Sequence, residues 1–235
     1  MGIMKIAGFI KTTLLDWDGF VACTIYLAGC NLRCPYCHNG PIVTDAESIP
    51  GVDEGYVLDH INENSDFIDG VVVSGGEPTM YPDLHEFLRR IRALGVKVKI
   101  DTNGMFPERL DDLIGSGLVD MVAMDVKSSL NERYDKAAGV DVDVNKIRKS
   151  IRVIIDSGID HEFRTTAVPV FVRTDDIKDI CENIRGAKRY RIHQFRNRVT
   201  IDDSLSVLDP YPESVLMEMA EIAKGYVKDV TIRGI

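Results

Sequence analysis

Short apolar runs recur along the chain at Val21 to Leu27, Val71 to Ser74, Val96 to Ile100, Met121 to Val126, Phe163 to Val168 and Tyr190 to Phe195, each of strand length. Helical spacing separates several of them. Tyr81-Pro82-Asp83 precedes Leu84, Phe87, Leu88, Ile91 and Leu94, and Gly95 stops that helix. Pro107 opens a second helix through Leu110, Leu113 and Ile114 to Gly115, and a third runs from Val144 to Ile155 before Ser157-Gly158. Strand, helix, strand at this spacing predicts right-handed βαβ crossovers and a parallel sheet. Six such units make an α/β fold, either a doubly wound sheet or a partial (β/α)6 barrel. Residues 1–20 differ, with an apolar run from Met4 to Ile10 and an Asp18-Gly19 turn, and read as a flanking hairpin. The tail from Val227 to Ile235 reads as an added strand. Without a Pro-, Gly- or Ser-rich linker or an internal repeat, residues 1–235 are expected to form one domain. In such folds chemistry gathers at the carboxyl ends of the strands.

Composition narrows the classes. Of 235 residues 45% are hydrophobic, enough for a real core, and 28 Lys and Arg against 37 Asp and Glu leave a formal charge of -9. That acidity argues against nucleic acid or an anionic membrane as the main partner. The one basic concentration, Lys188, Arg189, Arg191, Arg196 and Arg198 around Tyr190 and Phe195, is either a solvated rim or a contact for phosphate or an acidic protein. No stretch reaches the roughly 18 apolar residues that span a bilayer. The run Gly19 to Ala28 before Cys30 imitates a lipoprotein leader, but Asp16 and Asp18 stand where that leader should be positive. An odd count of five cysteines in a chain of this length points to a reducing, cytoplasmic compartment.

Three of those cysteines follow the first parallel strand in Gly29-Cys30-Asn31-Leu32-Arg33-Cys34-Pro35-Tyr36-Cys37-His38-Asn39-Gly40. Spacings of four and three would also suit the buried face of a helix, yet Gly29, Pro35, Gly40 and Pro41 make this a loop. Soft thiolates select zinc or iron-sulfur. A structural zinc needs a fourth ligand, for which His38, adjacent to Cys37, is awkward. Three thiolates alone suit a 4Fe-4S cluster with one iron open to a chelating ligand. Cys23 and Cys181, each single within apolar pattern, are expected to be inert.

Other strand ends carry polar groups. Ser74-Gly75-Gly76-Glu77-Pro78 combines close backbone approach with a carboxylate suited to an ammonium group, or is an ordinary turn. Asp101-Thr102-Asn103-Gly104 holds a tight-turn signal, and alternation puts Asp101 with Lys97 and Lys99, which predicts a surface ion pair. Asp125 and Lys127 share a face, as a site or as a satisfied ion pair. Arg164 and His193 lie on the fifth and sixth strands.

The Cys-x3-Cys-x2-Cys spacing with Tyr36 before the last cysteine resembles the signature of the radical S-adenosylmethionine superfamily. That resemblance implies a partial barrel, a 4Fe-4S cluster on Cys30, Cys34 and Cys37, and S-adenosylmethionine chelated to its open iron. It places Tyr36 at the adenine and Gly75, Gly76 and Glu77 at the methionyl amino group. Asp-Thr-Asn-Gly, Asp-x-Lys, the strand-five Arg and the strand-six His further resemble the glycyl-radical-enzyme activases, in particular activators of anaerobic ribonucleotide reductase. The similarity runs from Gly8-Phe9 and Trp17-Asp18-Gly19 through His193. By that resemblance Asp101, Thr102 and Asp125 frame a monovalent cation, Arg164 and His193 contact the nucleoside, and Lys127 faces a peptide substrate. It also implies a glycyl radical enzyme as partner and a flavodoxin or ferredoxin as electron donor. Two other functions stay open: a radical enzyme acting on a small molecule such as a deazapurine precursor, and a metal-bearing binding module.

Overall fold

The computed structural model describes residues 4–235. The chain begins with β1 (Ile6–Thr13) and β2 (Ala22–Leu27), and the cysteine loop leads into α1 (Gly40–Thr44) and α2 (Glu54–Glu63). Strands and helices then alternate: β3 (Gly70–Gly75), α3 (Leu84–Ala93), β4 (Lys97–Thr102), α4 (Pro107–Gly115), β5 (Met121–Asp125), and the pair α5 (Arg133–Ala138) and α6 (Val144–Ser157). The series ends with β6 (Asp160–Ala167), α7 (Thr174–Asn183), β7 (Arg189–Gln194), α8 (Glu213–Lys224) and β8 (Asp229–Arg233). All eight strands form one sheet in chain order. β1 pairs antiparallel with β2, as the expected hairpin, and every later pairing is parallel. The six expected β/α units are present from β2 to α8, and the tail strand joins the far edge as β8.

Local chemistry sets the boundaries. Asp143 caps α6 by accepting from the Asn145 amide at 3.0 Å, and Gly158, with φ of 70°, ends it in the left-handed region. Helices α2, α7 and α8 go beyond the expected set. Each carries its buried side chains at helical spacing, such as Leu216, Met219, Ala220 and Ala223 in α8.

The sheet is polarised. Its outer face sends Val71, Val73, Val98, Ile100, Val122, Met124, Phe163 and Ile192 into the fully buried core beneath the helices. Its inner face carries Lys99, Asp101, Asp125, Glu162, Arg164 and Arg191, facing a lumen rather than solvent. The expected surface pairing of Lys99 with Asp101 is therefore corrected: Lys99 is 3% exposed, 3.5 Å from Asp101 and 3.7 Å from Glu162, and donates to the Asp16 carbonyl. Alternation reveals that two faces differ, and curvature decides which one meets water. Trp17 plugs the amino-terminal end of this lumen, stacked on Phe20 at 4.5 Å and packed with Ala22, Val72 and Met121 in a small cluster apart from the main core. Gly70 leaves room for the indole, which a Cβ there would strike. The sheet does not close, since β1 and β8 each pair on one side only. Across that gap Asp18 of the hairpin turn meets Arg233 of β8.

Candidate active site

At the carboxyl ends of the strands lies a cavity of about 240 Å³. It is lined by Cys30, Cys34, Tyr36 and Cys37 from the cysteine loop, Gly75 and Gly76 after β3, Asp101 and Thr102 of β4, Asp125 and Lys127 at β5, and Arg164 of β6. Thus eleven of the thirteen sequence-predicted site residues face one space, and Glu77 and His193 do not.

The cysteine loop is held by backbone contacts on several sides. Gly29 N donates to Ile42 O at 2.8 Å, Arg33 N to Ala138 O at 2.9 Å, and Asp202 N to Pro35 O at 2.9 Å. The Asn39 amide reaches Gly75 O at 3.0 Å, tying the loop to the end of β3. Gly75, with φ of 115°, and Gly76 are required here because a Cβ on either would overlap the Leu27 or Gly29 backbone. Their first role is this closure between chain segments, made with Gly76 N to Leu27 O at 2.8 Å and Glu77 N to Gly29 O at 2.9 Å.

Glu77 sits beneath the cavity with no exposed surface. Its carboxylate accepts from Thr79 N at 3.0 Å, Thr102 Oγ1 at 2.8 Å and Asn103 N at 2.6 Å, and from the Thr79 hydroxyl as well. Asn103, which the sequence motif contained without a role, lines the cavity and donates from Nδ2 to Asn31 at 2.9 Å and towards Cys30 Sγ at 3.7 Å. Ser74 and Thr166 line it too. No local signal distinguishes these three, because they converge from separate strand ends.

Charge alternates along one wall. Arg164 bridges Asp125 at 2.7 Å and Asp101 at 3.1 Å, and Lys127 pairs with Asp125 at 2.8 Å. Burial alone would raise both carboxyls, but Arg164 with Lys127 holds Asp125, and Arg164 with Lys99 holds Asp101, below the usual carboxylate range. Burial likewise opposes the charge on Lys127, and Asp125 with Cys34 and Tyr36 outweighs it, so this lysine stays protonated. Asp101 Oδ1 and the Tyr36 hydroxyl are buried without a hydrogen-bond partner, and the Tyr36 ring lies 5.8 Å from Phe171. His193 lines an adjoining cavity of about 560 Å³, which shares Asp101 and Arg164 with the first. Burial and the nearby Arg164 push its pKa down to about 4.

Burial pushes the Cys30 thiol up to about 12 and raises Cys34 as well, so a thiolate here needs a metal beside it. Among the described residues no three His, Cys, Asp or Glu side chains are grouped closely enough for a single metal ion. A cluster takes one thiolate per iron, and three separate thiols around one cavity fit that donor set. Cys23 and Cys181 are fully buried away from the cavity, each with its thiol at about 12.

A sequence profile described as the Radical SAM superfamily matches residues 24–199. The chain belongs to the radical SAM superfamily. Membership brings a 4Fe-4S cluster and S-adenosylmethionine, and the three thiols and the glycine-closed floor fit them. A protein named "Putative glycyl-radical enzyme activating enzyme" from Methanocaldococcus jannaschii is 34% identical over 98% of this chain and 96% of its own. The pyruvate formate-lyase-activating enzyme of Listeria monocytogenes is 32% identical over 66% of this chain and 65% of that protein. In fold, a domain of the pyruvate-formate lyase-activating enzyme of Bacteroides vulgatus matches with a TM-score of 0.57 at 20% identity, over 70% of this chain and 99% of the other. Streptococcus suis SuiB bound to its precursor peptide SuiA matches at 0.70 and 16% identity, over 90% of this chain. This radical SAM chain spans about half (48%) of SuiB. No helix among its described residues is long and apolar enough to cross a membrane.

Proposed function

We propose that this radical SAM protein is a glycyl-radical-enzyme activase whose partner is the anaerobic ribonucleotide reductase. The reading is carried by the convergence of Cys30, Cys34 and Cys37 with the Asp101, Arg164, Asp125 and Lys127 wall on one cavity. When bound, the reduced cluster supplies the electron that splits S-adenosylmethionine into methionine and a 5'-deoxyadenosyl radical.

The chain's own residues bind, orient and exclude water. Cys30, Cys34 and Cys37 would hold the cluster. Gly75 and Gly76 offer backbone to the methionyl end, and Glu77 braces them from below. Asp101, Thr102 and Asp125 are assigned a monovalent cation, which would share the two carboxylates with Lys99, Arg164 and Lys127. Tyr36 flanks the adenine and Arg164 the ribose. His193, which lines the adjoining cavity with Arg164, is assigned a contact with the nucleoside. Lys127, held charged by Asp125, faces the peptide.

A primary radical needs a dry site, or other hydrogen donors quench it. The segments after β4, β5 and β6 carry no long glycine-hinged lid, so a docked glycine loop of the partner is the plug this reading requires. An electron donor of flavodoxin or ferredoxin type completes the reaction.

Anaerobic incubation of the dithionite-reduced protein with S-adenosylmethionine and that reductase should produce a doublet by electron paramagnetic resonance, absent with the Cys30→Ala variant. Consumption of a deazapurine precursor or another small molecule, with no radical on the reductase, would instead make this a small-molecule enzyme.

A further inference from the structure

The cluster that Cys30, Cys34 and Cys37 would hold must take up one electron and still pass it to S-adenosylmethionine, so its reduction potential is bounded on both sides. Hydrogen bonds to the ligating sulfurs are one lever a protein has on that potential. Cys30 Sγ receives them here. The Leu32 amide donates to it at 3.4 Å, and the Asn103 side chain donates from Nδ2 at 3.7 Å. Among the described residues no other side chain donates to the Cys30, Cys34 or Cys37 sulfur.

The Asn103 amide is aimed at that sulfur, not merely near it. Its Oδ1 accepts from the Met105 backbone N–H at 3.0 Å, a group that can only donate, so the NH2 end must face the cysteine loop. That end has two hydrogens. One goes to Asn31 Oδ1 at 2.9 Å, and the other is left for Cys30 Sγ. The Asn103 backbone N–H is held in turn by Glu77 Oε2 at 2.6 Å, and the residue is buried. Gly104, with φ of 77°, makes the turn that permits this, and a Cβ there would overlap the Met124 side chain. Asn103 therefore lies between a buried carboxylate and a sulfur. Burial and then the Glu77 carboxylate raise the Cys30 thiol, so both oppose added negative charge at that atom.

Resting on the cluster ligation proposed above, we infer that Asn103 is a positioning residue that acts through Cys30, its N–H···S bond raising the reduction potential of the cluster. An electron entering the cluster adds negative charge that the ligating sulfurs share. A donor on one of them favours the reduced form over the oxidised form, and it does so most in a buried site of low dielectric.

The test is a redox titration of the reconstituted full chain, with the reduced cluster followed by electron paramagnetic resonance. Asn103→Ala should keep its iron and sulfide and shift the reduction equilibrium about tenfold towards the oxidised form, which for one electron is a fall of about 59 mV. Thr166→Ala, which removes another polar side chain from the cavity wall, should keep the natural potential. Asn103→Asp retains an acceptor for the Met105 amide and replaces the donor with an oxygen, so its potential should fall further than that of the Ala variant. The Asp variant decides the matter if the Ala variant holds no iron. An unmoved potential in an Asn103 variant that carries the cluster overturns the inference, as does an equal fall in Thr166→Ala. If neither Asn103 variant holds iron, the residue is part of the scaffold and the inference is overturned as well. A natural protein that shows no reduced-cluster signal overturns the ligation and the inference together. A missing glycyl radical on the reductase strikes only the proposed partner, and the potentials still decide the role of Asn103.

Discussion

Glu77 exposes no surface and accepts four hydrogen bonds from residues 79, 102 and 103, so it joins the loop after β3 to the loop after β4 from beneath the cavity. Removing it leaves several buried donors unpaired. Glu77→Ala is expected to lose about 2–4 kcal/mol of stability, since each unsatisfied group costs about 1–3 kcal/mol. S-adenosylmethionine affinity should fall with it, because the floor of the site moves. Urea unfolding and calorimetric titration check the two effects, and a stable variant with unchanged affinity would deny Glu77 any bracing role. The sequence made Glu77 legible as important while leaving its direction unread. Cys30, Cys34 and Cys37 were legible because spacing and loop-forming Gly and Pro lie in one short segment. Asn103 and Thr166 were not, since they become site residues only when distant strand ends meet.

Elements were readable where their hydrophobic period was strong. Strands β2 to β7 announce themselves as apolar runs, and α3, α4 and α6 as apolar spacing between Pro or Asp starts and Gly stops. Helix α2 buries only Val57 and Ile61, so its pattern is faint, and α8 relies on small Ala220 and Ala223 that give little contrast. The β1–β2 hairpin has a packing duty that its sequence did not disclose: Trp17 closes the lumen floor against Gly70, Ala22 and Val72. Trp17→Ala should therefore cost about 3–5 kcal/mol, the usual loss for a large buried aromatic. As Trp17 is the single tryptophan, unfolding should be followed by circular dichroism. A loss under about 1 kcal/mol, typical of a surface change, would mean the indole is not a plug.

Across the molecule the lumen carries one alternating series of charges, Asp229, Arg191, Glu162, Lys99, Asp101, Arg164, Asp125 and Lys127, running from β8 to the active site. His193 lies against it, and burial with Arg164 lowers its pKa from 6.5 to about 4. A depressed histidine favours the folded state while neutral, so its contribution is whole above about pH 6.5 and is lost as pH falls towards 4. The natural protein should lose about 3 kcal/mol more than His193→Gln over that interval, at about 1.4 kcal/mol for each pH unit separating the unfolded and folded pKa. Urea midpoints at pH 7.5, 5.5 and 4.5 measure the difference, and parallel curves would refute it. The gap between β1 and β8 gives the sheet the mechanics of a split ring. Its arc is stiff, because widening any strand pair breaks a ladder of backbone bonds. At the split, the Asp18–Arg233 pair is exposed on both sides, and such pairs are worth about 0–1 kcal/mol. Separation at the split would break no backbone ladder, whereas separation at any other point of the ring would.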